Sequence, residues 1–157
     1  MDDDYRDIVN IVGLFSHHID QREFAALAEL FSEMTYRSNG IEYSVSGEGD
    51  LATFYENVVD EANVRFAGDP DDAKTVRHQH VFTNLVVEIA ADRETATCNY
   101  YGTVYAHSER KPHTARWSGR YNDRFRRINS RWRIVDRLQL TDYPAGYRPA
   151  DSVRPTS

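Results

Sequence analysis

The sequence lacks three features that would place the protein in a membrane or outside the cytoplasm. It has one cysteine, Cys98, which excludes an internal disulfide framework and a metal site built from several thiolates. It contains no run of about 20 apolar residues, the length that a membrane-spanning helix needs. The acidic start, Met1 to Asp4, also lacks the basic residues of a secretion signal. We therefore expect a soluble, cytoplasmic protein with no membrane partner.

The chain is too short for two comfortable domains. Its 157 residues, 40% of them hydrophobic and 28% charged, suffice for one globular core, which we place in a domain over residues 1–143. Residues 144–157 include Pro144, Gly146, Pro149 and Pro155, a composition typical of turns and irregular chain. We expect this tail to be partly disordered or draped across the domain.

Basic residues are scarce in the first half of the chain and acidic ones in the second. The first 72 residues hold 17 acidic and 4 basic side chains, whereas residues 73–157 hold 8 acidic and 15 basic ones. The two halves should therefore attract each other in the fold. The formal net charge of −6 repels phosphate at long range, so we expect no nucleic-acid partner.

Apolar residues at helical spacing predict three helices in the first half of the chain. A stripe ending at Ile19 runs through the first helix, and Asp20 to Glu23 fit a capping box that opens the second. The turn signal Ser38-Asn39-Gly40 predicts a hairpin before the third helix. The predicted elements are a helix over 3–20, a helix from Asp20 to Met34, a hairpin over Thr35–Val45 and a helix over Asp50–Phe66.

Four long segments in the second half predict consecutive strands. Short polar connections join them, which is typical of an antiparallel sheet. With the helices gathered on one face of a strongly curved sheet, the fold class is α+β and the elements enclose a cone. The open end of such a cone is a concave apolar cavity suited to a small ligand. The predicted strands are Thr75–Ile89, Thr95–His107, Thr114–Arg127 and Arg131–Thr141.

Two residues are candidates for acid–base chemistry in this cavity. Asp20 follows the apolar stripe of the first helix, so it is either a partly desolvated carboxylate in the cavity or the cap of the second helix. His80 shares a strand face with His78 and Phe82, so its imidazole is either a proton shuttle or a core residue. Two imidazoles on one face also fit a metal site. No further ligand follows at a suitable spacing, and we expect no metal.

Aromatic residues are the third signal, because the chain holds 10 tyrosines. Phenol rings on strands either fill a wide sheet or line a pocket for a planar, oxygenated ligand. The glycine-rich segment Gly47–Ala52 resembles a dinucleotide fingerprint, but it lacks the parallel strand–helix–strand context. A row of arginines indicates a solvated outer face or an anion surface. The row comprises Arg116, Arg120, Arg124, Arg126, Arg133 and Arg137.

Three stretches of the chain resemble the SnoaL-like branch of the nuclear-transport-factor-2-like superfamily. They are Ile19–Phe24 leading to Phe31, His78–Asn84, and the closing Trp132–Val135. They occur in the family's order of three helices, a small hairpin and a curved sheet. The resemblance extends to about Tyr143 and implies an α+β cone, with three N-terminal helices packed on a strongly curved, mostly antiparallel sheet.

Relatives in that superfamily include scytalone dehydratase, bile-acid dehydratase, ketosteroid isomerase and polyketide cyclases, mostly acid–base enzymes without a cofactor. The resemblance implies a lyase or isomerase of a hydrophobic polyketide-, steroid- or aromatic-like molecule, with Asp20 and His80 as catalytic residues and no cofactor. Tyr36 matches a pocket tyrosine, and Tyr105 or His107, depending on strand register, matches a second histidine. The expected pocket lining is Phe15, Tyr36, Tyr55, Phe82, Tyr105, His107, Trp117 and Tyr121.

A non-catalytic function stays open beside the enzyme. The superfamily also contains ligand-binding proteins and the structural small subunit of ring-hydroxylating dioxygenases. We expect an enzyme to keep an open cone and a structural subunit to have a filled one. In either case the sheet face that no helix covers favours self-association, as a homo-oligomer of two or three subunits.

Overall fold

The computed structural model describes residues 3–38, 41–45 and 47–141. The predicted tail over 144–157 and the turn residues Asn39 and Gly40 lie outside these residues. The helices are α1 (Asp3–Asp20), α2 (Phe24–Ala28), α3 (Glu48–Ala67) and α4 (Pro70–Ala73). The strands are β1 (Phe31–Ser38), β2 (Ile41–Val45), β3 (Arg77–Ile89), β4 (Thr95–His107), β5 (Thr114–Ile128) and β6 (Arg131–Thr141).

The strands form one curved sheet that does not close on itself, in the order β2-β1-β6-β5-β4-β3. All neighbours are antiparallel except β1 and β6, which run parallel. The predicted α+β cone is therefore confirmed, with one parallel pair in a mostly antiparallel sheet. β3 is an edge strand, so the N–H groups on its open side need partners from outside the sheet.

Helix α1 covers the inner face of the sheet beside β3. Its predicted apolar stripe is buried, with Ile8, Val12, Phe15 and Ile19 all at most 6% exposed. The Phe15 ring contacts the ring of Phe82 on β3, with ring centroids 6.0 Å apart. This packing places the last turn of α1, which ends at Asp20, against the first residues of β3. None of the helices in the described ranges is long and apolar enough to cross a membrane.

The predicted second helix is wrong beyond Ala28. From Phe31 the chain is strand β1, which pairs with β6, and the Leu30 carbonyl accepts a hydrogen bond from the Ile134 amide. A shift in register between Phe31 and Thr35 lets both Phe31 and Met34 be buried. Their spacing of three along an irregular strand imitates a helical stripe in the sequence.

The outer face of the sheet carries the predicted arginine row on β5. Arg116, Arg120, Arg124 and Arg126 are all exposed. They alternate along the strand with the buried residues Tyr121, Asp123 and Phe125. The predicted outer face is thus confirmed for the arginines of β5. Self-association through this face stays a prediction.

Two paired glycines make room for aromatic rings inside the cone. Gly102 on β4 and Gly119 on β5 lie opposite each other and are buried. A Cβ atom on Gly102 would lie 2.7 Å from the Tyr121 ring, and one on Gly119 would lie 2.7 Å from the Trp117 ring. On Gly119 it would also overlap the backbone carbonyl of Leu140. The absence of both side chains lets Trp117 and Tyr121 lie flat against the sheet.

Gly119→Ala is expected to lower the free energy of unfolding by about 1–3 kcal/mol, because the backbone of β6 cannot yield to the added methyl group. Gly13→Ala is the matched control, since a Cβ atom at Gly13 on α1 meets nothing within 4 Å. The control should gain up to about 1 kcal/mol from its higher helix propensity. Urea unfolding of both variants measures the difference, and equal stability of the two would contradict the close packing at Gly119.

Candidate active site

The structure brings Asp20 and His80 together at one end of the cone. The Asp20 Oδ1 atom lies 2.6 Å from the His80 Nδ1 atom. The same carboxylate also accepts from the His80 backbone N–H, at 2.9 Å to Oδ2 and 3.2 Å to Oδ1. The aspartate therefore supplies the partner that the edge strand β3 lacks at His80. We call this the His80 end of the cone, where β3 and β5 begin and β4 and β6 end.

The helix-cap interpretation of Asp20 is wrong. The residue at the cap position of α2 is Glu23, and its side chain makes no capping hydrogen bond. The Glu23 carboxylate instead pairs with the His18 Nδ1 atom at 2.7 Å. Helix α1 ends after Asp20 because Arg22 adopts a left-handed backbone conformation, with φ at 59°, and the Glu23 amide donates to the His18 carbonyl. This ending leaves the Asp20 carboxylate directed at β3.

The hydrogen bond to Asp20 determines which nitrogen of His80 is available. A carboxylate can only accept, so the Nδ1 atom carries the proton and the Nε2 atom of the neutral ring is an acceptor. The His80 side chain is 10% exposed and that of Asp20 is 21% exposed, so the pair is largely shielded from water. Rings of Phe15, His78 and Phe82 surround the imidazole, with centroids 6.1 to 6.5 Å from it.

His78 is a second, neutral imidazole beside this pair. Burial, together with a smaller contribution from the neighbouring His80, lowers the pKa of His78 to about 4. It is therefore uncharged near neutral pH. Within residues 3–38, 41–45 and 47–141, no group of three or more His, Cys, Asp or Glu side chains could hold a metal ion. His78 and His80 thus gain no third ligand from the described residues.

A fully buried ion pair lies deeper in the cone. Arg137 and Asp123 are both 0% exposed, and two N–H groups of the guanidinium donate to the carboxylate at 2.7 and 2.8 Å. The Tyr100 hydroxyl donates to the same carboxylate at 2.7 Å and accepts from Arg137 at 3.0 Å. The guanidinium also lies over the Phe15 ring, with its Cζ atom 3.9 Å from the ring centroid. Charge, hydrogen bonds and aromatic contact together offset the loss of hydration.

The predicted outer-face position of Arg137 is wrong for a specific reason. Strict alternation along β6 places Arg133 and Arg137 on one face. The pairing of β5 with β6 skips Val135, however, because Phe125 pairs with Ile134 while Arg124 pairs with Asp136. This β-bulge reverses the alternation, so Arg137 points into the cone.

Two predicted pocket tyrosines are engaged with protein atoms. The Tyr55 hydroxyl accepts from Arg137 at 3.4 Å and lies 3.6 Å from the Met34 sulfur, and the residue is 3% exposed. The Tyr36 hydroxyl donates to the side-chain carbonyl of Gln139. Tyr55 therefore belongs to the base of the cone, whereas Tyr36 lies in an aromatic group with Tyr43 and Phe54.

Phe82, Trp117 and Tyr121 meet on the inner face of the sheet. Phe82 and Trp117 contact the Tyr121 ring, with centroids 5.4 and 5.2 Å from it. The Trp117 ring nitrogen donates to the Thr141 hydroxyl at 2.9 Å. Burial raises the pKa of Tyr121 well above its usual value, so its hydroxyl stays protonated and can donate. These three side chains face the inside of the cone, and their role as the lining of a substrate pocket stays a prediction.

Tyr105 and His107 do not join them. Phe82 pairs with Gly102 and His80 pairs with Val104, so the even-numbered residues of β4 face inward. Tyr105 and His107 therefore lie on the outer face, where the ring of each contacts His113. The prediction that Tyr105 or His107 lines the pocket is therefore wrong, because this register directs both side chains outward.

Two surface grooves lie away from Asp20 and His80. One, of about 580 Å³, includes the turn between β5 and β6, at the opposite end of the sheet from His80, and is lined in part by Phe31, Arg131 and Arg133. The other, of about 420 Å³, lies along the last residues of β3 and the first of β4. Neither groove contains a residue of the Asp20–His80 pair.

The sequence interpretation missed the roles of Asp123, Tyr100 and Gln139. A usable signal existed for Asp123, because it is the one acidic residue among the inward positions Tyr121, Asp123 and Phe125 of β5. A carboxylate on an apolar strand face requires a buried cation. No comparable signal marks Gln139, since its inward direction depends on the bulge at Val135.

Helices and an unclosed curved sheet around a largely buried Asp–His pair define an α+β cone of the nuclear-transport-factor-2-like type. The sequence model of the SnoaL-like domain matches residues 3–138, and the chain belongs to this family. Among curated proteins, none matches the sequence at a significant level.

Solved structures share the fold at low sequence identity. ActVI-ORFA from Streptomyces coelicolor is 19% identical, with a TM-score of 0.69, over 89% of this chain and 96% of that one. Aln2 from another Streptomyces strain is 20% identical, with a TM-score of 0.67, over 86% and 88%. A protein from Novosphingobium aromaticivorans, described as NTF2-like with a cystatin-like fold, is 19% identical, with a TM-score of 0.68, over 88% and 81%.

Proposed function

We propose that the protein is a cofactor-independent acid–base enzyme, a lyase or isomerase of the dehydratase or cyclase type. The observation that carries this proposal is the Asp20–His80 pair, joined at 2.6 Å and largely shielded from water. A histidine whose Nδ1 proton is held by a carboxylate has a basic Nε2 atom and a stabilised charged form. This arrangement suits the abstraction of a proton from carbon.

In the proposed reaction, the Nε2 atom of His80 takes a proton from the carbon next to a carbonyl group. The electron pair of that C–H bond moves onto the carbonyl oxygen, which gives an enolate. Asp20 stabilises the imidazolium that forms. His80 then returns its proton, either to a departing hydroxyl group, which completes a dehydration, or to another carbon, which completes a double-bond shift.

The enolate oxygen needs a hydrogen-bond donor. Two tyrosines expected in the pocket are not placed for this role, because the Tyr36 hydroxyl donates to Gln139 and Tyr105 lies on the outer face. Tyr121 is better placed, because it faces inward, stays protonated and contacts Phe82, which in turn contacts His80. We assign the phenol role to Tyr121.

The substrate class follows from the surroundings of His80. Rings of Phe82, Trp117 and Tyr121 supply an aromatic surface, which suits a flat polyketide-, steroid- or aromatic-like ketone. Membership in the SnoaL-like family supports the same class.

One observation favours a second candidate, a non-catalytic module that binds a ligand or supports a larger subunit. The base of the cone is filled by Phe15, Tyr55, Tyr100 and the Arg137–Asp123 pair, all at most 3% exposed. A filled cone is what the structural-subunit alternative predicts. Binding of a ketone at the His80 end decides between the two.

A thermal-shift screen with aromatic, polyketide and steroid ketones tests the proposed function. A ligand that binds only the folded state raises the melting temperature by mass action. At least one class should stabilise the wild type clearly more than the Asp20→Asn, His80→Ala double variant. The matched control is the His18→Ala, Glu23→Gln variant, which removes a second histidine–carboxylate pair of 2.7 Å and should respond like the wild type.

The screen has two outcomes that would count against an active site at His80. Equal stabilisation of the wild type and the double variant would show that Asp20 and His80 do not contribute to binding. Failure of every ketone class to stabilise a cooperatively melting wild type would favour the non-catalytic module.

A further inference from the structure

Gln139 and Tyr121 lie side by side on the inner face of the sheet. They are direct partners in the pairing of β6 with β5. Side chains of such partners have Cβ atoms about 4.5–5.5 Å apart. Tyr121 contacts Phe82 inside the cone, and the contact of Gln139 with Tyr36 shows that Gln139 points to the same side.

The hydrogen bond from Tyr36 fixes the orientation of the Gln139 amide. The Tyr36 hydroxyl donates to Oε1 of Gln139, so the amide oxygen is engaged and the Nε2 atom points away with two N–H donors. Among the described residues, no acceptor bonds to Gln139 Nε2 and no partner bonds to the Tyr121 hydroxyl. Two adjacent sets of neutral donors are therefore available inside the cone.

These donors lie across the concave face from His80. Strand β3 carries His80, and β6 carries Gln139 two strands beyond β4. The Phe82 ring lies between the two sides, 6.1 Å from the His80 ring and 5.4 Å from the Tyr121 ring by centroid distance. A flat molecule bound over Phe82 would present a carbon to His80 and an oxygen to the Gln139 side.

We propose that Gln139 Nε2 and the Tyr121 hydroxyl form a binding site for the carbonyl oxygen of the substrate. This inference rests on the proposed function and extends it, because it specifies a ketone on a flat, polycyclic or aromatic frame. A hydrogen bond to a charged oxygen is stronger than one to a neutral oxygen. The two donors therefore favour an oxygen that gains negative charge during the reaction. Tyr36 acts as a positioning residue that holds the amide of Gln139.

The oxygen site can be tested without knowing the substrate. The probe is 2-naphthol. Its flat ring system imitates the frame of the substrate, and its hydroxyl, when ionised, imitates an enolate oxygen. Its fluorescence reports both binding and ionisation. Gln139→Met, of similar size but without polar hydrogens, should weaken the binding of 2-naphthol about tenfold or more. Gln139→Glu keeps the acceptor for Tyr36 but replaces the amide donors with a carboxylate, so it should weaken binding at least as much.

Two controls separate the role of Gln139 from general loss of structure. Gln79→Met makes the same change at an exposed position of β3 and should leave the affinity unchanged. Tyr36→Phe should weaken binding in the wild type but have little further effect in Gln139→Met, because it acts through the amide. Melting temperatures of all variants show whether each is folded.

Equal affinity of wild type and Gln139→Met, or no binding of 2-naphthol to the wild type, would overturn the oxygen site. His80→Ala keeps the proposed donors and should still bind the probe. The two proposals therefore fail in different ways. The protein could bind the probe in a manner that depends on Gln139 and yet exchange no proton of a ketone. That result would support the oxygen site and refute the proposed reaction.

Discussion

Arg137→Met is expected to lower the free energy of unfolding by about 3–5 kcal/mol, the scale for breaking a buried ion pair. The change leaves the Asp123 carboxylate at 0% exposure with only the Tyr100 hydroxyl as a donor. It also removes the cation that lies 3.9 Å from the Phe15 ring centroid. An uncompensated buried charge is far more costly than the pair itself is stabilising.

Urea unfolding at neutral pH measures this effect, and two further variants serve as controls. Arg137→Met combined with Asp123→Leu removes both charges and should recover most of the lost stability. Arg124→Met removes an exposed arginine from the outer face of β5 and should change stability by less than about 0.5 kcal/mol. A loss below about 1 kcal/mol in the Arg137 single variant would show that the pair is hydrated in solution.

His80→Ala and Asp20→Asn are each expected to slow the reaction of a ketone substrate by about 10² or more. The first change removes the base. The second places an amide beside Nδ1, and an amide N–H that donates to this atom moves the ring proton to Nε2. The ring is then in the wrong tautomer to accept a proton from carbon.

Initial rates with the ketone that stabilises the wild type measure these losses. His18→Ala is the control, because it removes another ring of α1 that pairs with a carboxylate at 2.7 Å, and that carboxylate belongs to Glu23 and not to Asp20. It should retain the wild-type rate. Normal turnover in both His80→Ala and Asp20→Asn would refute the mechanism.

Regular patterns explain which parts of the fold the sequence could predict. Helix α1 has an uninterrupted buried stripe, and β4 and β5 alternate almost throughout, so their positions follow from periodicity. The prediction of the second helix failed beyond Ala28 because Phe31 and Met34 belong to a strand with a register shift. A bulge adds one residue to a strand and reverses alternation, and no local pattern in the sequence marks it.

The same reason explains which residues of the candidate site could be predicted from the sequence. Asp20 and His80 lie on regular elements, so local spacing together with the family resemblance could predict that both belong to one site. The directions of Arg137 and Gln139 depend on the bulge at Val135, which alternation alone cannot predict. The choice of Tyr105 or His107 depended on strand register, which long-range pairing determines.

The most direct test of the central claim is solvent deuterium incorporation at the carbon next to the carbonyl of a bound ketone, followed by NMR. The wild type should exchange that proton, His80→Ala should exchange it about 10² times more slowly, and His18→Ala should match the wild type. Exchange at the same rate in wild type and His80→Ala would contradict the assignment of His80 as the base. A wild type that binds the ketone without exchanging its proton would contradict the proposed enzyme itself.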